Sequence, residues 1–353
     1  MSSAPAQTNP DPAPAQPAGG DVLERCRQVC RSRPGGVAFA DCLDPRVLQA
    51  ARRLREKGLA QPVLVGSPFA LRSKMRQSGL DGRGVFTVVD PASPGLLQEN
   101  LETYLELREK KGRPLPEDKA RRAVLCPLLA SALMVRRGQV EVGVAGNLSP
   151  TAAVLRAGLE VLPRQRGVKT ISSFFLMLSP DHKRQFVFTD CAVVPEPDQE
   201  NLADIAISAA EVARKLLGQE PRVALLSFST KGSARHPRAE LVRQAVELIR
   251  KRAPDIMVDG ELQFDAAAIP DVAALKAPGS ILAGQANVLV FPSLEAGNIA
   301  YKMVQRLAGY RAVGPFIQGF AGGWHDLSRG CSAKDIEEVS VIGLCMQRGN
   351  LLI

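Results

Sequence analysis

A short segment near the C-terminus of the 353-residue chain, residues 314–335, combines groups that could hold an anion beside a proton acceptor. It carries a hydroxyl at Ser328, a guanidinium at Arg329 and a carboxylate at Asp335. Several glycines in the segment would let the backbone approach a ligand closely. The combination suits a small anion, held by charge, next to a group that can take up a proton.

The same segment also allows a purely structural interpretation. Ser332 followed three residues later by Asp335 is a pattern with which many helices begin. A helix that begins there would direct its free N–H groups at whatever anion Arg329 binds. Taken alone, the pattern is more often a surface loop followed by an ordinary capped helix.

Other runs of the sequence favour the chemical interpretation. They are GNLSPTAAVLR at 146–156, SSFFLM at 172–177, DCAVVP at 190–195, LSFSTKGSARHP at 226–237 and VLVFPSLEAGNIAYKMVQRLAGY at 288–310. Together with the loop at 327–331 they resemble the phosphate acetyltransferase (phosphotransacetylase) family over roughly residues 21–345. The runs GNLS at 146 and DGELQFD at 259, with the pair His325-Asp326, most resemble the ethanolamine-utilisation branch of that family.

The resemblance implies a reaction and a role for each residue of the segment. The reaction is the reversible conversion of acetyl-CoA and phosphate into CoA and acetyl phosphate, by direct thiolate attack in a ternary complex. Asp335 would be the base for the CoA thiol, Ser328 would orient that thiol or stabilise the intermediate, and Arg329 would hold the phosphate. No cofactor is expected, because CoA is itself a substrate.

Two further arginines match family arginines that lie at the anions of the substrate or of CoA. They are Arg108 and Arg156. Without the resemblance, Arg108 is more simply a solvated charge on a helix. Arg156, which follows a glycine-containing turn, could equally lie on a helix surface.

A second basic loop, rich in glycine and serine, follows the strand predicted at 223–227. In open parallel sheets, ligands bind at the carboxyl ends of the strands. We therefore expect Ser229, Lys231, Gly232 or Ser233 to line the cleft between two domains. The alternative is a plain turn between strand and helix, in which Pro237 opens the helix.

The resemblance implies two α/β domains with mostly parallel sheets facing a cleft, similar to the isocitrate/isopropylmalate dehydrogenase architecture. Residues 21–163 and 314–353 would form a discontinuous first domain that carries the catalytic loop, and residues 164–313 the second. Residues 1–20, rich in Pro and Ala, are predicted to be a disordered tail, because they cannot bury enough apolar surface to become ordered.

Family members are typically homodimers, and this branch recycles CoA inside bacterial microcompartments. A homodimer is therefore expected, and the tail could address such a shell.

Hydrophobic periodicity independently predicts an α/β protein with a mostly parallel sheet. Asp44 followed by Pro45 predicts the start of a helix that ends at Gly58. Strands are predicted at 37–40, 63–65, 141–145, 171–177, 186–189, 223–227, 257–259 and 288–291. Helices are predicted at 45–57, 97–110, 116–137, 199–217 and 237–251.

Composition narrows the classes of function. The net charge is +9 and aromatic residues make up 5%. The positive charge suits anionic metabolites, whereas the scarcity of aromatics and of compact basic clusters argues against nucleic-acid binding. The sequence shows no apolar run of membrane-spanning length, no secretion signal and no glycine fingerprint for nucleotides. A cytoplasmic protein without membrane or nucleic-acid partners is therefore expected.

Seven scattered cysteines and three histidines predict reduced thiols and no metal site. Cys26 and Cys30 would share a helix face, but they lack the partners that a zinc site needs. Cys331 lies beside the catalytic loop and is better explained as a small packed residue than as a nucleophile. His325 could tune the base or only pack.

Three alternative functions remain open from the sequence alone. A phosphate butyryltransferase would differ only in the volume of its acyl pocket. A non-catalytic acetyl-CoA-sensing domain would lack the catalytic loop and would be fused to another enzyme. A decarboxylating dehydrogenase of the same architecture would need a set of metal-binding carboxylates, which the sequence does not clearly show.

Overall fold

The computed structural model describes residues 21–79, 86–181 and 183–348, so the predicted tail at 1–20 lies outside the described residues. The helices are α1 (Val22–Ser32), α2 (Pro45–Glu56), α3 (Pro68–Gln77), α4 (Pro94–Lys110), α5 (Glu117–Val124), α6 (Pro127–Arg136), α7 (Thr151–Val161), α8 (Gln199–Leu217), α9 (Pro237–Arg252), α10 (Phe264–Ala268), α11 (Pro270–Lys276), α12 (Leu294–Leu307) and α13 (Ala333–Gln347). The strands are β1 (Gly35–Phe39), β2 (Ala60–Val65), β3 (Thr87–Val89), β4 (Val142–Ala145), β5 (Ser172–Leu178), β6 (Gln185–Thr189), β7 (Arg222–Leu226), β8 (Met257–Leu262), β9 (Val288–Val290), β10 (Arg311–Gln318) and β11 (Gly323–Asp326). No helix among these residues is long and apolar enough to cross a membrane.

The strands form two sheets. The first has five parallel strands in the order β11-β4-β1-β2-β3. The second has six strands in the order β10-β5-β6-β9-β7-β8, and only β5 runs antiparallel to its neighbours. This arrangement confirms the predicted α/β fold with mostly parallel sheets.

Most of the predicted elements are present, with small shifts at their ends. Helix α8 has the predicted bounds, and α2 begins at Pro45 with the Asp44 side chain accepting a hydrogen bond from Arg46 N. The single helical region predicted at 116–137 is in fact two helices, α5 and α6. They separate because Pro127 has no N–H with which to continue the hydrogen bonding of α5.

The chain leaves the first sheet after β4, builds the second sheet and then returns. The predicted boundary at residue 314 lies too early, because it falls inside β10, which pairs with β5 in the second sheet. The chain re-enters the first sheet at β11, which lies beside β4. The segment that carries Ser328 therefore belongs to the first sheet through β11 and α13.

A continuous buried core joins the two sheets. It combines side chains of α1, α2 and α13, next to the first sheet, with side chains of α8 and α9, next to the second. Within this layer the buried carboxylate of Glu338 on α13 lies 3.8 Å from the Arg27 guanidinium of α1 and also pairs with Arg311 of β10. The two sheets are thus held together by packing and by charge.

Trp324 of β11 fixes α7 against the first sheet. Its ring is fully buried, and its Nε1 donates a hydrogen bond of 2.9 Å to the Val154 carbonyl. A Cβ would come within 2.4 Å of the ring at Gly143 and within 2.8 Å at Gly158. The two glycines therefore make room for the indole and bring α7 close to β11, the strand that precedes residues 328–331.

The chain segments that follow β4 and β11 approach each other closely. Gly146 has a φ of +107°, which only glycine adopts readily. A Cβ at this position would lie 2.1 Å from Asp326 Oδ1 and 2.6 Å from Leu327 N. Glycine at position 146 therefore sets the spacing between two segments that carry predicted site residues.

Gly146→Ala should lower the free energy of unfolding by about 3 kcal/mol, because an unfavourable φ and overpacking add together. Gly167→Ala is the matched control, since Gly167 also has a positive φ, of +78°, but no atom lies within 4 Å of its Cβ position. The control should lose only about 1 kcal/mol. Urea unfolding measures both variants, and equal losses would show that the close approach imposes no constraint.

Candidate active site

The segment between β11 and α13 forms a tight, exposed turn. Cys331 N donates to the Ser328 carbonyl at 3.0 Å, and Gly330 N donates to Ser328 Oγ at 3.3 Å. Ser328 and Arg329 are exposed, at the carboxyl end of a parallel strand where ligands bind in folds of this kind. The hydroxyl and the guanidinium are thus open to a ligand. We call residues 328–331 the catalytic turn, after the role that the family resemblance predicts for Ser328 and Arg329.

Asp335 is the third residue of α13 and forms a capping box with Ser332. Its Oδ2 accepts hydrogen bonds from Ser332 N at 2.7 Å and from Ser332 Oγ at 2.8 Å, and its own N donates to Ser332 Oγ at 3.2 Å. The predicted helix start is therefore confirmed. Asp335 is exposed, and no described residue hydrogen-bonds to its Oδ1. Capping occupies one carboxylate oxygen and leaves the other for chemistry.

Asp41, which sequence reasoning missed, holds the segment after β4 in place. Its Oδ2 accepts from the backbone N–H groups of Gly146, Leu148 and Ser149 at 2.8, 3.1 and 3.0 Å, and its Oδ1 accepts from Ser149 Oγ at 2.6 Å. Asp41 lies two residues after the end of β1, in the region where parallel sheets carry functional residues. That position was the only signal in the sequence that could have found it.

Asp326, the last residue of β11, is a second missed carboxylate. It is buried, its Oδ2 accepts from Thr151 Oγ1 at 2.7 Å, and its Oδ1 has no partner among the described residues. Burial raises the pKa of Asp326 to about 6, although the hydrogen bond from Thr151 acts in the opposite direction. Asp326 thus ties α7 to the strand that ends at the catalytic turn.

His325 and Cys331 are both buried, and their surroundings indicate that they pack in the protein interior. His325 is fully buried against the Phe316 ring, at 5.4 Å between ring centres, and burial lowers its pKa to about 3. It is therefore neutral and packed, away from the exposed turn. Cys331 is buried and its pKa is raised to about 11, chiefly by burial, so it is a thiol at neutral pH. This agrees with packing rather than nucleophilic attack.

Arg108 and Arg156 lie together in one surface groove. The groove has a volume of about 550 Å³, and Lys111 and Arg113 also line it. Lys111 Nζ is held by the carbonyls of α7, at 2.9 Å from Leu159 O, so the end of α4 rests on that helix. Arg156 lies about 7 Å along α7 from its first residue, which bonds to Asp326. Helix α7 thus connects the groove to β11, the strand that precedes the catalytic turn.

The loop after β7 forms an internally bonded turn. Ser229 is buried and its Oγ donates to Glu261 Oε1 at 2.8 Å, as does Gly232 N. Ser233 Oγ accepts from Thr230 N at 3.0 Å. These contacts match the alternative of a plain turn between strand and helix, and a role in the cleft stays a prediction.

Lys231 belongs to the same loop and pairs with the buried carboxylate of Asp259. Its polar end is thus also occupied within the protein. Among the described residues, no group of three or more His, Cys, Asp and Glu side chains is placed to hold a metal ion. The described cysteines are all free.

Comparisons with known proteins show the family to which the chain belongs. The family model described as "Phosphate acetyl/butaryl transferase" matches residues 21–344. The phosphate acetyltransferase of Clostridium acetobutylicum is 42% identical over 334 residues, which are 93% of this chain and 99% of that protein. That of Bacillus subtilis is 40% identical over 322 residues, or 91% and 98% of the two chains.

Solved structures give the same result. The EutD phosphotransacetylase from Staphylococcus aureus superposes with a TM-score of 0.84 at 36% identity, over 93% of this chain and 98% of that one. A phosphotransacetylase from Streptococcus pyogenes gives 0.87 at 35% identity, over 92% and 98%. The chain therefore belongs to the phosphate acetyl/butyryl transferase family, as an acyltransferase of the phosphate acetyltransferase type.

The raised pKa of Asp326 predicts a pH-dependent stability. An unfolded Asp titrates near ~3.9, so between about pH 4 and pH 6 the native state binds more protons than the unfolded state. The wild type should therefore lose about 2 to 3 kcal/mol of stability as the pH rises from 4 to 7, at ~1.4 kcal/mol per pKa unit. Asp326→Asn removes this loss, so the variant should gain stability relative to wild type over the same range.

Urea unfolding at a series of pH values measures this difference. Asp271→Asn is the control, since Asp271 is exposed on α11 and its difference from wild type should stay nearly flat. A flat difference for Asp326→Asn as well would contradict a burial-raised pKa.

Proposed function

We propose that the chain catalyses the reversible exchange of an acetyl group between CoA and phosphate by direct attack in a ternary complex. The exposed catalytic turn, which carries Ser328 and Arg329 a few residues before Asp335 with its free Oδ1, is the observation that supports this mechanism. The CoA sulfur attacks the carbonyl carbon of acetyl phosphate, a C–S bond forms, the C–O bond to phosphate breaks, and phosphate leaves. The thiol proton goes to Asp335.

The positive groups divide between the two substrates. Arg329 lies four residues before Ala333, the first residue of α13. A guanidinium and free helix N–H groups can therefore share the phosphoryl oxygens. Arg108 and Arg156, with Lys111 and Arg113, offer the groove to the phosphates of CoA. Ser328, next to Arg329 in the turn, can orient the thiol or donate to the charged oxygen of the tetrahedral intermediate.

The acyl chain is the least constrained part of the proposal. The family description covers acetyl and butyryl transfer, and no described contact favours the longer chain. A non-catalytic sensing role is disfavoured because the catalytic turn and Asp335 are intact. We therefore propose acetyl transfer, with CoA, acetyl phosphate and phosphate as ligands and no cofactor.

Asp335→Asn tests the mechanism. The amide can still accept the Ser332 hydrogen bonds, so the variant should fold, but it cannot take up the thiol proton. We expect kcat to fall about 10²–10⁴-fold, with little change in KM and partial recovery at high pH, where CoA ionises unaided.

The assay follows thioester absorbance from acetyl phosphate and CoA, with butyryl phosphate in parallel. Full activity in folded Asp335→Asn would mean that the carboxylate is only a cap. Faster turnover of butyryl phosphate by the wild type would favour the butyryltransferase alternative.

We also propose that the enzyme is a homodimer that pairs through α12. Only Gly297 of this 14-residue helix is buried, and Ile299, Met303 and Leu307 form an exposed stripe, 57%, 53% and 80% exposed. Two antiparallel copies of α12 about a two-fold axis would cover both stripes. They would also bring Glu295, in the first turn, near Arg306 of the partner subunit.

A double variant, Met303→Glu with Leu307→Glu, should convert the dimer into a monomer in sedimentation velocity, because it buries four carboxylates in the paired stripe. Phe69→Glu is the control, since Phe69 is 79% exposed on α3, away from α12. A monomeric wild type, or a double variant that stays dimeric, would contradict pairing through α12.

For location we propose the cytoplasm, with a bacterial microcompartment as the more specific setting. The free cysteines support a reducing compartment, and the similarity to the EutD phosphotransacetylase supports the ethanolamine-utilisation branch. The tail at 1–20, which lies outside the described residues, would be the address. Diffuse fluorescence of a tail fusion in shell-producing cells would count against the more specific setting.

A further inference from the structure

We propose that Arg46 is the positioning residue of the catalytic turn. The inference rests on the proposed function, since the turn matters for activity only if Ser328 and Arg329 carry out the transfer. Arg46 lies in the first turn of α2, 283 residues before Arg329. No local pattern in the sequence connects the two.

The Arg46 guanidinium binds the backbone at two points of the turn and at one point of the segment after β4. Nη1 donates to the Arg329 carbonyl at 2.8 Å and to the Cys331 carbonyl at 2.7 Å. Nη2 donates to the Asn147 carbonyl at 3.3 Å. One side chain therefore fixes the peptide planes of the turn relative to the segment after β4.

The guanidinium is itself held rigidly by Asp44. Nε lies 3.1 and 3.2 Å from the two Asp44 oxygens, and Nη2 lies 2.7 Å from Oδ2. Asp44 is buried and also accepts from Asn147 Nδ2 at 3.0 Å. Burial raises the pKa of Asp44, but the hydrogen bonds from Arg46 and Asn147 outweigh it, so the pKa lies below its usual range. The pair thus stays charged at neutral pH.

The number of N–H donors on Arg46 indicates that this side chain positions the turn and does not bind a substrate. A guanidinium has five N–H groups. Nε and one hydrogen of Nη2 are directed to Asp44, the other Nη2 hydrogen to Asn147, and both Nη1 hydrogens to the turn. No donor is left for an anionic substrate, so Arg46 acts through the turn rather than on the reacting atoms.

A lysine cannot replace this fork. Its single ammonium could reach Asp44 or the turn carbonyls, but it cannot span both with fixed geometry. Without Arg46, the Arg329 carbonyl loses its partner, and the peptide between Arg329 and Gly330 is held only by the 3.3 Å bond from Gly330 N to Ser328 Oγ, so it can rotate more easily. Rotation of that peptide would change the directions of the Ser328 and Arg329 side chains, which must be held within fractions of an ångström for efficient transfer.

The test compares Arg46→Ala and Arg46→Lys with Arg53→Ala, a control in which an exposed arginine of the same helix is removed. Both Arg46 variants should lower kcat at least tenfold, and the control should match wild type. Low millimolar ethylguanidinium should raise the kcat of Arg46→Ala several-fold, whereas ethylammonium at the same ionic strength should not. A change confined to global stability would not produce such selective rescue.

Hydrogen exchange supplies a readout that does not depend on the reaction. In Arg46→Ala, the amides at 330–332 should exchange at least tenfold faster than in wild type or Arg53→Ala, with the β4 and α8 amides unchanged. Should the wild type lack acetyl transfer, the proposed function fails, and this measurement still decides whether Arg46 holds the turn. Normal kcat in Arg46→Lys, no rescue of Arg46→Ala, or unchanged exchange at 330–332 would each overturn the proposal.

Discussion

Three buried carboxylates at the carboxyl edge of the first sheet must find their hydrogen bonds inside the protein, and the surrounding segments are arranged to supply them. A buried charge that lacks partners is costly, because water no longer stabilises it. Asp41 is satisfied largely by backbone N–H groups of the segment after β4, and Asp44 by Arg46 and Asn147. Asp326 has only Thr151 on one oxygen, and its affinity for a proton rises accordingly.

This requirement explains why the site is assembled from distant parts of the chain. The segments after β1, β4 and β11 lie side by side because their strands are neighbours in the sheet order. Asp41 and Asp326 then reach across to the segment after β4, and Asp44 accepts from Asn147 of that segment in addition to its own neighbour Arg46. Trp324, seated over two glycines, adds α7 to the same assembly. The exposed catalytic turn can therefore be short, because the neighbouring segments of the first sheet hold it in place.

Much of the fold follows from local patterns. The bounds of α8, the Asp44 cap of α2 and the Ser332 cap of α13 are all predictable, since caps and periodicity act over a few residues. Strand β11 is not, because its sequence Gly-Trp-His-Asp places two polar side chains in a fully buried strand. Strand β10 is obscured in a similar way by its central Gly314-Pro315 pair.

The site residues likewise fall into those that local sequence patterns reveal and those that they do not. Ser328, Arg329 and Asp335 are close in sequence and could be recognised together, whereas Arg46 and Asp41 act on residues more than a hundred positions away. No spacing rule reports such contacts. Arg108 and Arg156 meet in one groove only because α4 rests on α7. The polar residues after β7, by contrast, are largely engaged with one another or with Asp259 and Glu261.

Strand β11 is an edge strand, and it is the last to enter the first sheet. During synthesis, a ribosome has produced nearly all of the chain before this strand emerges. Until then, β4 presents an unpaired backbone edge with small apolar side chains, a surface that invites pairing with other nascent chains. The same late strand brings Trp324 and the catalytic turn. Premature termination before β11 therefore yields a product that lacks Ser328, Arg329 and Asp335 and leaves the edge of β4 exposed, which makes it prone to aggregate.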